Sequence, residues 1–517
     1  MYVIAYDVGT TGLKSCLFSI GKDQPIELIA GETADYDLYV LDNGGVEQDP
    51  NQWWDAMGVT TKKLLKKTGI DKEEIKGISF CAQMQAVILA GEDGEPVMNA
   101  MSYMDNRGKE QIKKLMHSGP KIAGMNAYKL LRSLQITGAV SGSVKDPVYK
   151  YRWVADNEPE IFAKAHKWLD AKDFLVLKAT GKFTMSRDSA FSTLVCDTRP
   201  GKVGFSPVVC KMMDVDMKHL PEIVLSTDQV GGITAKAAEE LGLAEGTPVF
   251  SGGGDASLIG VGAGATSTGD THVYMGTSGW VCTVVDKQML DIGSMIASLS
   301  GADPERFNCF AELETAGKCL EWAKKQVGID GADGYGEMMD RMKDVPAGSN
   351  GVMFTPWLHG NRNPFEDPDA RGMFFNLGLE STAEDMIHAV IEGVCLHLRW
   401  QMTAMTKLTP PSEVIRFVGG GAQAPLTCQI LADVLGRKVE TVDSPQNAGS
   451  VGAAAVMAVG LGIFEDLQET KASVPAVAMY EPRKENTAVY DSLFETFKDL
   501  YKCNKKNFHK LNERSSS

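Results

Sequence analysis

The feature that most constrains this chain is a strand, tight turn and strand written twice. Near the start the sequence runs Tyr6-Asp7-Val8-Gly9-Thr10-Thr11-Gly12, and it returns as Tyr274-Met275-Gly276-Thr277-Ser278-Gly279. In each copy an apolar run enters the turn (Val3 to Ala5; His272 to Met275) and a second leaves it (Ser15 to Phe18; Val281 to Val285), the pattern of a hairpin. Glycines let backbone approach a ligand closely, and consecutive N–H groups with Thr or Ser hydroxyls form a concavity of donors suited to phosphate oxygens. One such turn is ordinary. A matched pair, one in each half, is what a clamp on a polyphosphate requires.

Composition narrows the partners of that clamp. The 517 residues are enough for two or more cores, and 44% apolar with 23% charged residues is the balance of a soluble globular chain. With 52 basic against 67 acidic side chains the net charge is −15, so nothing basic is in excess to displace counterions from nucleic acid. An anionic ligand must be held by turns, helix N-termini or a bound cation. The ten cysteines stand singly without a CxxC pair and no secretory signal is read ahead of the first strand, so they are expected to be reduced, mostly buried thiols of a cytoplasmic protein. The eight histidines form no HExxH or Cys/His cluster, and His388 and His397, within one helical stretch, read as packing or surface residues. No apolar run reaches the length of a membrane span.

Residues 2 to 40 read as β-rich, and 51 to 67 as a helix on the spacing of Trp54, Met57 and Leu64/Leu65. Ile75 to Ala90 is a strand region carrying Gln83-Met84-Gln85, and 104 to 218 is mostly helical. Residues 228 to 246 read as a connector before a second half, which restarts with a strand at Thr247 to Ser251 and then Gly252-Gly253-Gly254-Asp255. Ser381-Thr382-Ala383-Glu384 has the form of a capping box ahead of a helix through Met386, Val390, Val394 and Leu398. Ile415 to Val418 is a buried strand ending in Gly419-Gly420-Gly421. Two helices, 427–435 and 450–459, flank a strand at 438–442. An amphipathic helix spans 486–510, and Ser515 to Ser517 are expected to be disordered. The domains expected are 1–245, 246–485, and a helix and tail over 486–517.

Asp255 stands where a strand gives way to a helix, behind three glycines that remove side-chain bulk, so its carboxylate could accept the proton of an attacking hydroxyl. It could equally be a helix N-cap. Asp7, just before the first turn, suits a water-mediated hold on a Mg²⁺ that bridges phosphates, or a bond to its own turn. Lys14 could add charge there or be a solvated lysine. Gly419 to Ala422 after a buried strand suits a flat ring against bare backbone, or simple turning. No Gly-x-x-x-x-Gly-Lys-Ser/Thr element occurs and the first turn lacks Gly-x-Gly-x-x-Gly, which speaks against P-loop and dinucleotide folds.

With both Gly-Thr hairpins, Gly252 to Asp255 and Gly419 to Ala422 in this order, the chain resembles, over nearly its whole length, the FGGY carbohydrate kinases, and the xylulokinases among them. Two family signatures support this: Pro147-Val148-Tyr149-Lys150-Tyr151-Arg152-Trp153, departing at Lys145, and Gly372-Met373-Phe374-Phe375-Asn376-Leu377 followed by Asp385-Met386 and Ala389 to Glu392, departing at Asn376. The resemblance implies an α/β fold of two actin-like domains, ribonuclease H-like and hexokinase-type, with an interdomain cleft for ATP and sugar. It implies Asp255 as general base and Asp7 as a metal-associated carboxylate, with ATP and Mg²⁺ as cofactors. Gly9, Thr10, Thr11, Lys14, Gly276 and Thr277 fall to the phosphates, and Gly317, Gly420, Gly421 and Ala422 to the nucleoside. Met84, Gln85, Asp105, Asp255 and Ala256 fall to the acceptor. Three departures lie on the acceptor side: Gln83-Met84-Gln85-Ala86 stands for Gln-Met-His-Gly, Ala256 for Asn, and Tyr103-Met104-Asp105-Asn106-Arg107 for Trp-x-Asp-x-Arg. The function implied is ATP-dependent phosphorylation of a small ketose or polyol, D-xylulose first. Gluconate, L-ribulose, erythritol or a signalling molecule are the alternative acceptors, and a non-catalytic actin-like nucleotide binder is the alternative class. The partners expected are the sugar or polyol and ATP, with no nucleic acid and no membrane; a homodimer is admissible.

Overall fold

The strand Ile75–Ala82 is buried at every residue but Lys76 because it runs through the middle of a sheet. On one side it pairs in parallel with Tyr2–Val8, and on the other with Pro248–Phe250 and Gly253–Gly254, so neither edge meets water. These relations come from a computed structural model that describes residues 1–199, 201–202, 204–329, 331 and 334–512; the tail at 515–517 lies outside the described residues. The sheet has seven strands: Gln229–Gly232, Pro248–Phe250, Ile75–Ala82, Tyr2–Val8, Gly12–Ser19 and Glu27–Asp35 in order, with Gly253–Gly254 also on Ile75–Ala82.

The helix Pro50–Thr68 covers this sheet for reasons local to its sequence. Asp49 caps it by accepting the Asn51 N–H at 2.9 Å, Pro50 fills the first turn where no N–H is needed, and Gly69 ends it at φ 71°. Trp53, Trp54, Met57 and Leu64 form its buried stripe and share one core with Ile4, Phe80 and Val249. A second cluster, around Tyr149, Tyr151, Trp168 and Val195, is built by the largely helical stretch after residue 104.

The chain forms two units. The first is Met1–Gly262 with Leu299–Phe307 and Gly449–Ser473; the second is Ala263–Ser298, Asn308–Ala448 and the chain from Val474. This is not the division at 245/246 read from the sequence. Residues 228 to 246, read as a connector, instead contribute a strand: Gln229–Gly232 pairs antiparallel with Pro248–Phe250, and Val230, Ile233 and Leu241 join the core of Ile4 and Phe80. Asp255 therefore belongs to the first unit. So does the helix Ala448–Gly460 from Gly449 onward, which packs on Leu258 and Phe250.

The second unit repeats the theme with eight strands in the order Leu290–Asp291, Ile296–Ser300, Phe307–Leu313, Gly279–Val285, Thr271–Met275, Val414–Val418, Lys438–Val442 and Ala476–Tyr480. Its long helix Ala383–Met405 begins one residue later than the capping box expected at Ser381 and Glu384. Thr382 is the cap, exchanging bonds with Asp385 at 3.1 and 2.9 Å, while the Ser381 hydroxyl takes the Gly378 N–H and Glu384 pairs with Arg341. His388 and His397 are buried on this helix, bonded to Ser349 and to Trp357 respectively. All ten cysteines are free, and Cys503 alone is exposed. Among the described residues no helix is long and apolar enough to cross a membrane.

Candidate active site

Three parallel strands of the first unit end side by side, and the expected residues follow their carboxyl ends. Val8 and Gly254 both stand in register with Ala82, so Gly9–Thr11, Gln83–Gln85 and Asp255–Ala256 emerge together. The carboxyl ends of parallel strands are where open α/β sheets bind ligands, because the chain there turns away and leaves a crevice.

The turn after the first strand is held by its carbonyls. Tyr36 Oη donates to the oxygens of Gly9 at 2.5 Å and Gly12 at 3.0 Å, Gln48 Nε2 to that of Thr10 at 2.7 Å, and the Tyr36 N–H to that of Thr11 at 3.1 Å. In a planar trans peptide the N–H points opposite its C=O. Drawing the carbonyls of Gly9 and Thr10 into the protein thus turns the N–H groups of Thr10 and Thr11 the other way. Asp7 precedes this turn, opposite Lys14 across the hairpin and beside Cys81 on the neighbouring strand. Burial pushes the Asp7 carboxyl up, and Lys14 and a bond from the Cys81 thiol pull it back. Above it is Gly449, where a Cβ would come within 3.0 Å of Asp7 Oδ2 and 2.8 Å of Cys81 Sγ.

Asp255 opens the helix Asp255–Gly262 and is partly exposed; Ala256 beside it is 9% exposed. Asp255, Asp7 and Asp188 gather about Cys81: burial raises that thiol well above its ordinary range, and the three carboxylates add to the rise. Gln85 sits at φ 67°, a left-handed conformation for a residue with a side chain. It is held there from both sides: its N–H reaches Asp170 Oδ2 at 2.9 Å, and its carbonyl accepts Lys150 Nζ at 2.6 Å. Met84 packs against Gly254, where a Cβ would lie 2.2 Å from its sulfur.

Asp105 is bonded on both oxygens to its own protein. It is fully buried, Oδ1 accepting the Arg107 N–H and Oδ2 the Val46 N–H, both at 2.9 Å, with the Arg107 guanidinium bidentate beside them. Its side chain is consumed in bracing the loop that carries Tyr103, whose hydroxyl lies 3.3 Å from Thr10 Oγ1. Arg107 also stacks on Trp153, 4.3 Å from the ring centroid, so the Lys150-to-Trp153 signature supports this face from beneath.

Lys150, Asp170 and Asp188, to which the sequence assigned no role, bond the backbone beside the expected site residues: Lys150 and Asp170 at Gln85, and Asp188 at Gly254. Lys150 lay inside a recognised signature, and Asp170 precedes an apolar helical run as an N-cap would; Asp188 carried no local signal.

In the second unit Gly276-Thr277-Ser278 joins Thr271–Met275 to Gly279–Val285. The helix Gly317–Gln326 starts against it: the Gly317 N–H donates to Gly276 O at 2.7 Å and the Ala316 N–H to Thr277 O at 3.0 Å. Val414–Val418 runs parallel to Thr271–Met275 and leads into Gly419–Ala422, which brings Gly420, Gly421 and Ala422 beside the hairpin. Gly420 is exposed, and a Cβ there would meet nothing within 4 Å.

The chain matches the models of the FGGY family of carbohydrate kinases, its N-terminal domain over residues 2–262 and its C-terminal domain over 272–461. It is 27% identical over 511 residues to a xylulose kinase of Staphylococcus epidermidis, covering 97% of each chain. Two solved structures from Lactobacillus acidophilus, a ligand-bound xylulose kinase and a gluconate kinase, each superpose with a TM-score of 0.85 at 25% identity and 99% coverage of both chains. The chemistry that follows is ATP-dependent, Mg²⁺-assisted transfer of a phosphoryl group to a sugar hydroxyl. With both domains matched and both glycine hairpins in place, the chain belongs to the FGGY family of carbohydrate kinases.

Proposed function

We propose that the acceptor is D-xylulose and that Asp255 is the general base. The observation that carries the reading is the convergence of Gly9–Thr11, Gln83–Gln85 and Asp255–Ala256 on one set of strand ends. The acceptor's hydroxyl approaches Asp255, which orients it and takes its proton as the oxygen bonds to the γ-phosphorus; the bond to the β-phosphate oxygen breaks and ADP leaves. Met84, Gln85 and Ala256 line the acceptor's approach, while Asp105 braces the neighbouring loop of Tyr103 through Val46 and Arg107. The amides of Thr10 and Thr11, with Gly9 and Lys14, and the Gly276-Thr277 hairpin of the second unit bind phosphate oxygens. Gly317 and Gly420 to Ala422 lie along the nucleoside.

The donor set fits Mg²⁺. Asp7 offers one hard oxygen donor at a strand end and is partly exposed, as suits a metal that keeps most of its waters. Bound with the nucleotide, Mg²⁺ neutralises charge on the phosphates. Asp7 would hold it through water.

Gluconate is the second reading, favoured by the equal likeness to the gluconate kinase. A coupled ADP-release assay with D-xylulose, D-gluconate, L-ribulose and erythritol separates them. The highest kcat/KM is expected with D-xylulose, and a preference for gluconate overturns the assignment. In the same assay Asp255→Ala is expected to bind ATP yet lose about 10²- to 10⁴-fold in turnover. Near-normal phosphorylation would return Asp255 to helix capping.

A further inference from the structure

The three glycines before Asp255 are required by three different neighbours. Gly252 is at φ 68° with Phe80 O only 2.1 Å from where a Cβ would stand, and Gly254 makes room for Met84. At Gly253 a carboxylate is the nearest neighbour: a Cβ there would lie 2.9 Å from Asp188 Oδ2, with the Leu258 side chain next at 3.0 Å. Asp188 is 1% exposed. Its Oδ1 accepts the Ser189 N–H at 2.9 Å and the Ser186 hydroxyl, bonds that serve its own helix Arg187–Ser192. Its Oδ2 does something else, accepting the Gly254 N–H at 2.7 Å across 66 residues of sequence. Gly254 is the residue immediately before Asp255.

A buried carboxylate costs several kcal/mol unless its oxygens are bonded, so a helix cap alone does not account for burying this one against a distant turn. The Gly253–Gly254 peptide has no side chain on either residue to hold its orientation, and the bond its N–H donates to Asp188 adds a hold to that of its pairing with Ile75–Ala82. We propose that Asp188 is a positioning residue for Asp255: it clamps the peptide that leads into the base and thereby sets where the base's carboxylate points. The inference rests on the reading of Asp255 as base. Asp188 is buried away from solvent and is given no contact with sugar or nucleotide, so its loss should act on kcat. Displacing a reacting group by about 1 Å costs up to about 10²-fold.

The test is steady-state kinetics on Asp188→Ala, Asp188→Asn, Asp255→Asn and the double variant Asp188→Ala/Asp255→Asn, with thermal melts and ADP binding to establish the folded fraction. Asp188→Ala is expected to lose about 10- to 100-fold in kcat, with KM for ATP within about threefold. Asp188→Asn, which keeps an oxygen for Gly254, should recover most of the loss, and the double variant should be no slower than Asp255→Asn. A folded Asp188→Ala with normal kcat overturns the inference, as does a double variant slower than Asp255→Asn by the full Asp188→Ala factor. Should Asp188→Ala fail to fold, Gly253→Ala leaves the carboxylate in place and crowds both it and Leu258 with a methyl; normal kcat in folded Gly253→Ala is decisive against. Near-normal turnover of Asp255→Asn overturns the base reading and the inference with it, whereas failure of the inference alone leaves Asp255→Asn inactive.

Discussion

The Asp170 carboxylate accepts the backbone N–H of Gln85 at 2.9 Å and so fixes, from 85 residues away, a turn that would not hold itself. Its other oxygen accepts the Ala86 N–H at 2.9 Å and the Ala171 N–H at 2.8 Å, while burial, with Asp173 nearby, pushes its carboxyl up to about 7. Asp170→Ala leaves these amides without their acceptor, at a cost of about 1–3 kcal/mol for each one that stays buried. Urea denaturation should show that loss, and acceptor titration should show a KM raised several-fold with KM for ATP unchanged. A destabilised variant with an unchanged acceptor KM would remove the 83–86 turn from the sugar site.

Lys150 makes stability depend on alkaline pH. It is fully buried, and burial lowers its ammonium to about 8, against the pull of Asp105, Asp170 and Asp146. The unfolded chain keeps the proton to about 10.4, so between those values the unfolded state binds more protons and stability rises with pH. Relative to Lys150→Met, the wild type should gain on the order of 1–3 kcal/mol from about pH 8 to 10. Parallel denaturation curves for the two proteins across that window would show that Lys150 does not titrate there.

Gly317 meets the second hairpin too closely for a side chain. A Cβ would lie 2.4 Å from Gly276 O, the oxygen its own N–H binds. Gly317→Ala must push the Gly276-Thr277 turn aside, at about 1–3 kcal/mol by the usual cost of overpacking. Calorimetry should find ADP bound at least tenfold more weakly, with the acceptor KM unaltered. Unchanged ADP affinity would mean that this hairpin does not hold phosphate.

Gln85 and Ala256 stand where xylulokinases usually carry His and Asn. A pocket built to hydrogen-bond a hydroxyl discriminates strongly against a ligand that leaves its polar groups unpaired. Restoring both, by Gln85→His with Ala256→Asn, is expected to raise kcat/KM for D-xylulose relative to the best other acceptor. If the wild type already prefers xylulose and the double change weakens that preference, the two positions are variation among xylulokinases and not a change of sugar.

The sequence by itself determined what a few neighbouring residues can decide. Gly9-Thr10-Thr11-Gly12 and Gly276-Thr277-Ser278-Gly279 form the hairpins that their glycine turns and flanking apolar runs predict, and Pro50–Thr68 carries its own cap, stripe and terminating glycine. Tertiary structure alone decided where the contacts divide the chain, because pairing of Gly253–Gly254 with Ile75–Ala82 joins segments whose local patterns do not name each other. It also decided the backbone partners of Asp105, Lys150, Asp170 and Asp188. Each of these side chains bonds backbone groups far away in sequence. A backbone amide is the same at every non-proline residue, so neither the residue type of Gln85 in its turn nor that of Gly254 before Asp255 could have announced its partner; only the folded chain brings carboxylate and amide together.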